Sequence, residues 1–314
     1  MIQTIASAPL PAAENYVVKK QRLQPEHLSG NEKRISIVTG IHGDELEGQY
    51  VCYEIQRRIN ESPGMLTGII DLYPALNPLG IDSITRGIPH FDLDMNRTFP
   101  GNSEGSMAEY VASKIIEDVQ GSDLCIDIHA SNIFLREIPQ VRINEMCEET
   151  LVPFAKRLNV DYIWVHGAAT VLEATFAHSL NTIGTPVLVV EMGVGMRVTK
   201  EYCKELVDGI FVEMKDLGIW QGEVIEPKEP IISTDGEVHY LNAGFAGVFI
   251  STVEHWTSVK KGEKIGEIIH PLEGVIMEEV FSDCDGILFT LREYPVVSEG
   301  SLIGRILERN GKQG

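Results

Sequence analysis

Apolar and polar positions follow two different periods along the first two-thirds of the chain. Short runs of consecutive apolar residues predict buried strands, and apolar residues that recur every three or four positions predict helices. The predicted strands are 35–40, 68–73, 124–128, 162–166 and 186–190. The predicted helices are 46–59, 107–119, 151–158 and 200–217. Strands that alternate with helices indicate an α/β fold, with a mixed, mostly parallel sheet covered by helices.

The pattern changes after residue 217, where glycines and prolines mark a connection and no long helical period follows. The remaining segment contains an internal repeat, because the pattern of 247–268 recurs in 286–306. We therefore predict an accessory all-β domain at 223–314 behind a larger domain at 1–222. The repeat resembles biotinyl/lipoyl-type domains, which implies a barrel-sandwich. The hairpin at 271–277 contains no lysine, so no swinging arm is expected.

Composition excludes several classes of partner. The formal net charge of the 314 residues is −20, which disfavours binding to nucleic acid or to an anionic membrane. No apolar stretch reaches the eighteen or so residues of a membrane span, and the first residues lack the features of a signal peptide. The five cysteines are scattered without paired spacing, so neither a disulfide framework nor a thiolate metal site is indicated. We predict a cytoplasmic protein, with a homo-oligomer left open.

Three polar groups follow the carboxyl ends of predicted strands. His42 and Glu45 lie in the turn after the first strand, His129 follows the 124–128 strand and Glu191 follows the 186–190 strand. A lone His-x-x-Glu is a weak signal. In parallel sheets, however, ligands bind beyond the carboxyl ends of the strands, so these distant segments converge on one cleft. Two histidines and one glutamate form a catalytic zinc set with an open fourth position, and a further carboxylate is left to act as a base.

The segment 77–101 is long, loop-like and rich in polar residues. Structureless connections of this length are usually functional or disordered, and its apolar residues favour function. His90 lies in this segment, where we expect a structural histidine rather than a substrate contact. We expect substrate preference to depend on pocket shape and on side chains in 170–183 or in the accessory domain.

Several ordered motifs resemble one known family over residues 30 to 220, the succinylglutamate desuccinylase/aspartoacylase family, which is related to zinc carboxypeptidases. The motifs are His42-Gly43-Asp44-Glu45, Asn77-Pro78, Arg86, Asp94-Met95-Asn96-Arg97, Asp127-Ile128-His129 and Val190-Glu191-Met192-Gly193. The resemblance implies one zinc ion per chain and a zinc carboxypeptidase-like fold for residues 1–222, which would be the catalytic domain.

The resemblance also implies a role for each matching residue. His42, Glu45 and His129 would be the zinc ligands, and Glu191 would be the catalytic glutamate. Arg86 would lie at the polarised carbonyl, and Asn96 with Arg97 would hold a substrate carboxylate. Asp94 would support a zinc-binding histidine.

Three functions agree with these residues. The first is a zinc-dependent hydrolase that cleaves the amide bond of a small N-acyl amino acid, with a zinc-activated water and a glutamate base. The second is a zinc metallocarboxypeptidase that acts on peptides. The third is a scaffold protein in which the metal only stabilises the fold. A structural site is normally closed by four protein ligands, so a spare carboxylate such as Glu191 argues against the third.

Overall fold

The computed structural model describes residues 1–89, 93–167 and 173–308. His90 lies outside these ranges, as does the first part of the 170–183 stretch that we expected to shape the pocket. No helix in the described part of the chain is long and apolar enough to span a membrane.

Six α-helices form within the described ranges. In chain order they are α1 (Glu47–Glu61), α2 (Pro78–Ser83), α3 (Met107–Val119), α4 (Glu148–Ala155), α5 (Phe176–Thr182) and α6 (Lys200–Asp216). The same ranges contain strands that fall into two sheets. The strands before residue 200 are β1 (Ile2–Pro9), β2 (Asn15–Leu23), β3 (Arg34–Thr39), β4 (Ile69–Tyr73), β5 (Leu124–Ala130), β6 (Leu135–Asn144), β7 (Tyr162–His166) and β8 (Val187–Gly193). Those after residue 200 are β9 (Ile231–Thr234), β10 (Val238–Asn242), β11 (Gly247–Ser251), β12 (Thr257–Val259), β13 (Lys264–His270), β14 (Val275–Phe281), β15 (Gly286–Arg292), β16 (Val296–Val297) and β17 (Leu302–Glu308).

The larger sheet is mixed. Its main path runs β1-β2-β4-β3-β5-β8-β6-β15-β17-β10, with β7, β9 and β12 attached beside it. The four strands β4, β3, β5 and β8 at its centre are parallel, while β6 pairs with β8 in the antiparallel sense. The carboxyl ends of the central strands therefore meet at one edge, as the alternation of strands and helices predicts. The sheet as a whole is less parallel than we expected, because a hairpin at the amino terminus and the C-terminal strands extend it with antiparallel pairs.

Helices cover both faces of this sheet. One core packs α1, α4 and α6 against one face, and includes Ile126 and Ile128 of β5. The other packs α3 and α5 against the opposite face, and includes Cys125 of β5. Side chains alternate along a strand, so Asp127 and His129 share the face of Cys125. Glu191 lies opposite His129 in the parallel pair of β5 and β8, and it projects to the same face.

The C-terminal strands are divided between the two sheets. β9, β10, β12, β15 and β17 belong to the larger sheet. They join it where β15 pairs with β6 and where β9 pairs with β7. β11, β13, β14 and β16 form a separate four-stranded sheet. The internal repeat corresponds to two antiparallel pairs, β11 with β13 and β15 with β17. One apolar core contains residues of both sheets, including Phe249 and Leu288. The likeness to a biotinyl/lipoyl barrel-sandwich stays a prediction.

The structure confirms each helix and strand predicted from periodicity, with ends that differ by a few residues. Two differences bear on the site. Glu191 and His129 lie inside β8 and β5, near their carboxyl ends, rather than after them. The segment 77–101 also contains α2 and a single 3-10 turn at Met95–Arg97, so it is less irregular than expected.

Candidate metal centre

The turn between β3 and α1 presents His42 and Glu45. It lies against the 77–86 segment, where the backbone N–H of Gly43 donates to the carbonyl of Arg86 at 3.2 Å. A Cβ at position 43 would lie 2.0 Å from the backbone of Gly80, so only glycine fits this approach. The close packing holds the His42 and Glu45 side chains over the end of the sheet.

Two imidazoles and a carboxylate meet at this point. The Nδ1 atom of His42 lies 2.7 Å from Oε1 of Glu45, and Nδ1 of His129 lies 2.9 Å from Oε2. The two Nδ1 atoms are 3.3 Å apart. All three side chains are buried, with donor atoms within 4.8 Å of one another, and they are compatible with a metal ion.

The outer nitrogen of each imidazole faces another carboxylate. His42 Nε2 lies 3.2 Å from Asp94 Oδ1, and His129 Nε2 lies 3.2 Å from Asp127 Oδ2. A carboxylate accepts hydrogen bonds, so Asp94 and Asp127 favour the tautomers that carry the proton on Nε2 and leave the Nδ1 lone pair available to a cation. A proton on Nδ1, or a metal ion in its place, can bridge each ring to the Glu45 carboxylate. This is the arrangement by which carboxylates orient metal-binding histidines, so these residues fit a divalent ion.

The pKa values reflect the same cluster of charges. Burial pushes the pKa of Glu45 upward, but His129 and the hydrogen bonds from both imidazoles outweigh burial and hold it well below its ordinary value. Burial lowers the pKa of His129, and the opposing charges of Asp127 and Glu45 raise it well above its ordinary value. Both shifts have the same cause, because the two imidazoles and the carboxylates around them lie within hydrogen-bonding distance.

Glu191 lies beside the triad on the next strand. Its side chain is 18% exposed, and Arg142 of β6 approaches it with NH1 at 3.5 Å from Oε1. Burial raises the pKa of Glu191, whereas the charge of Arg142 lowers it. A carboxylate with a raised pKa at the edge of a cleft suits a group that accepts a proton and later returns it.

Arg86, Asn96 and Arg97 line a cavity next to the triad, and its volume is about 1040 Å³. Arg86 donates to Glu45 Oε1 at 3.0 Å, and its NH2 lies 3.7 Å from Asp94 Oδ2. Arg97 is exposed and donates to the backbone carbonyl of Asn96. The side-chain carbonyl of Asn96 accepts from the backbone N–H of Phe176, at the first turn of α5. Asn96 therefore has a structural partner in addition to its place in the cavity wall.

Sequence reasoning missed a buried network behind Glu191. Glu137 of β6 is 1% exposed and accepts from Arg142 at 3.2 Å. It also accepts from Thr290 at 2.5 Å and from Arg305 at 2.7 Å, two residues of the C-terminal strands β15 and β17. We did not predict β6, and its alternation of Val141 and Ile143 with polar residues was the available signal. Arg142 and Arg305 both line the cavity.

Comparison with known proteins gives consistent matches. Residues 31–215 match the family model of the succinylglutamate desuccinylase/aspartoacylase catalytic domain. The chain is 26% identical over 277 residues to the N-alpha-acetyl-L-2,4-diaminobutyric acid deacetylase of Halomonas elongata, covering 86% of this chain and 80% of that protein.

Solved structures share the fold. One is a succinylglutamate desuccinylase/aspartoacylase from Rhodobacter sphaeroides, with a TM-score of 0.80 and 22% identity over 98% of this chain and 95% of that one. Another is the product-bound ectoine utilization protein EutE (DoeB) from Ruegeria pomeroyi, with a TM-score of 0.81 and 17% identity over 96% of this chain and 93% of that one.

Proposed function

Because the chain belongs to the succinylglutamate desuccinylase/aspartoacylase family, a family of deacylases, we propose that it is a zinc-dependent hydrolase of small N-acyl amino acids. The main support is the geometry of the triad. Nδ1 of His42 and Nδ1 of His129 both contact the Glu45 carboxylate, and the Nε2 atom of each ring contacts an aspartate. Three protein donors leave a coordination position open, which catalytic zinc sites require and structural sites lack.

In this proposal, His42, Glu45 and His129 hold one zinc ion. A bound zinc ion supplies a Lewis acid that acidifies water at neutral pH and polarises an acyl carbonyl. Glu191 takes the proton of the attacking water and delivers it to the departing amine, which balances the reaction as acyl carboxylate plus free amine.

Arg86 would donate to the oxyanion that develops on the acyl oxygen. Loss of such a donor typically costs about 3 to 4 kcal/mol of barrier. Arg86 donates to Glu45 in this structure, so its guanidinium lies at the edge of the donor set that would hold the ion. Asn96 and Arg97 would bind the substrate carboxylate, because the planar fork of Arg97 donates two parallel hydrogen bonds. The cavity accommodates a small molecule of this kind.

Residues 1–222 would form the catalytic domain, and 223–314 would form the accessory part that narrows the cleft. Arg305 of β17 supports this placement because it lines the cavity. The cytoplasmic location and the absence of nucleic acid and membrane partners stay predictions.

The test is an activity screen with the zinc-loaded protein over N-acetyl, N-succinyl and N-formyl amino acids and short peptides. The Halomonas relative acts on an N-acetylated diamino acid by its name, so N-alpha-acetyl-L-2,4-diaminobutyrate belongs in the panel. Glu191→Gln should leave the metal content unchanged and reduce turnover by at least a hundredfold, the lower bound for loss of a general base. Turnover of peptides alone would replace this proposal with a carboxypeptidase, and full activity of Glu191→Gln would overturn the mechanism.

A further inference from the structure

A second group of donor side chains lies among the C-terminal strands, outside the residues that line the large cavity. It consists of His239 in β10 with Asp283 and Cys284 in the connection between β14 and β15. One donor atom from each lies within 4.8 Å of the others. The group therefore combines nitrogen, oxygen and sulfur donors.

The imidazole of His239 is oriented as in the first site. Its Nε2 lies 3.2 Å from Glu308 Oε2, and its Nδ1 lies 3.1 Å from Asp283 Oδ2. With the proton on Nε2 for Glu308, the Nδ1 lone pair is available to an ion held by Asp283 and Cys284. A carboxylate behind one ring nitrogen and anionic donors before the other is the arrangement that orients metal-binding histidines.

The thiol distinguishes this group from a simple ion pair. A protonated His239 between Asp283 and Glu308 would account for both short contacts without any cysteine. Cys284 is only 5% exposed, yet its sulfur lies beside an imidazole and a carboxylate. Burial, reinforced by Asp283, raises the pKa of Cys284 to about 12, so the thiol is protonated until a cation displaces its proton. The side chains of Asp283 and His239 are 57% and 31% exposed, which leaves them free to close around an ion.

We propose that His239, Asp283 and Cys284 form a second divalent-metal site, for a borderline-soft ion such as zinc. Nδ1, a carboxylate oxygen and a thiolate suit zinc, with water in the fourth position. Binding releases the Cys284 proton, and the two charges of the ion are balanced by the carboxylate and the thiolate. The proposal stands apart from the proposed function, since no donor is shared with the triad around Glu45.

Cobalt(II) tests the site because only a thiolate ligand gives cobalt a strong charge-transfer band in the near ultraviolet. The triad of His42, Glu45 and His129 contains no sulfur, so that band reports the second site alone. We expect the full-length protein to bind two cobalt ions, measured by metal analysis, with the charge-transfer band appearing for one of them. A single ion without the band would overturn the proposal.

Variants assign the band to its residue. Cys284→Ser should abolish the charge-transfer band and leave one bound ion. Cys147→Ser should keep the band. Cys147 borders the large cavity, so this variant controls for a thiol near the first site. Asp283→Asn changes a side chain that is 57% exposed, and it should weaken the second site at least tenfold. Glu308→Gln should weaken it about ten- to hundredfold. A band that survives Cys284→Ser, or an affinity unchanged in Asp283→Asn, contradicts the assignment.

Discussion

Each histidine of the triad depends on an aspartate that does not touch the ion site itself. Asp127 lies two positions before His129 on the same strand, so alternation places both side chains on one face. Asp94 reaches His42 from the 3-10 turn and also caps that turn through the backbone N–H of Asn96. Residues outside the donor set therefore contribute to the orientation and protonation of both rings.

Replacing Asp127 with Asn tests this dependence. The substitution removes the negative charge that raises the basicity of His129, so we expect zinc affinity to fall about ten- to hundredfold. The measurement is competition with a chelator of known affinity. Asp71→Asn is the matched control, because Asp71 is an equally buried strand carboxylate that bonds Lys20 and Arg22 instead of histidine. Asp71→Asn should lower stability and leave zinc affinity unchanged. If Asp127→Asn also lowers stability without changing zinc affinity, the role of Asp127 is purely structural.

Arg142 lies between Glu191 and the buried Glu137, and its removal should change the pH dependence of turnover. Since Arg142 lowers the raised pKa of Glu191, Arg142→Met should raise that pKa further. Glu191 acts as a base only when deprotonated, so the acidic limb of the rate profile should move to higher pH, and turnover on that limb should fall about tenfold for each unit by which the pKa rises.

Arg142→Lys keeps the positive charge and serves as the control for this change. We expect its acidic limb to stay close to that of the parent protein. A profile that shifts equally in both variants would show that charge is not the cause.

At the level of elements, the sequence predicts those strands and helices whose own pattern of apolar and polar residues matches the element that they form. The site could be predicted because His42, His129 and Glu191 each lie at or just after the end of an apolar run, and such runs indicate buried strands. β6 was missed because it carries Pro139 and buries Glu137 and Gln140, which a strand pattern does not anticipate. These polar residues are stabilised by partners from β15 and β17, and a local pattern contains no information about such partners.

Helix α6 offers a test of a buried carboxylate away from the site. Burial raises the pKa of Glu213 to about 8, although Arg157 donates to it at 3.1 Å. The folded state thus favours protonated Glu213, and its contribution to stability is complete below about pH 4.5 and is lost as pH rises toward 8. We expect the parent protein to lose stability relative to Glu213→Gln across this interval, by at most about 5 kcal/mol at 1.36 kcal/mol per unit. Chemical denaturation of both proteins at several pH values measures the difference, and a constant difference would contradict the raised pKa.

At the level of the whole molecule, the C-terminal strands continue the sheet that carries the triad. β15 pairs with β6, and Thr290 and Arg305 satisfy the buried Glu137 from the C-terminal side. A carboxylate this deeply buried is costly without its donors. The stability of the strand behind Glu191 should therefore depend on residues that follow it by more than a hundred positions.

Thr290→Val removes one of those donors while keeping the shape of the side chain. Glu137 would retain its arginines but lose the hydroxyl at 2.5 Å, so we expect a loss of about 1 to 3 kcal/mol in the free energy of unfolding. Thr257→Val, on β12 of the same sheet, is the control and should change stability by less than about 0.5 kcal/mol. Thr290 and Glu137 lie on either side of residue 222. Unfolding followed by tryptophan fluorescence and by circular dichroism should therefore give one shared transition, both in the parent protein and in Thr290→Val. Two separate transitions, with Thr290→Val affecting only the one at higher denaturant, would mean that the C-terminal strands do not stabilise the strand behind Glu191.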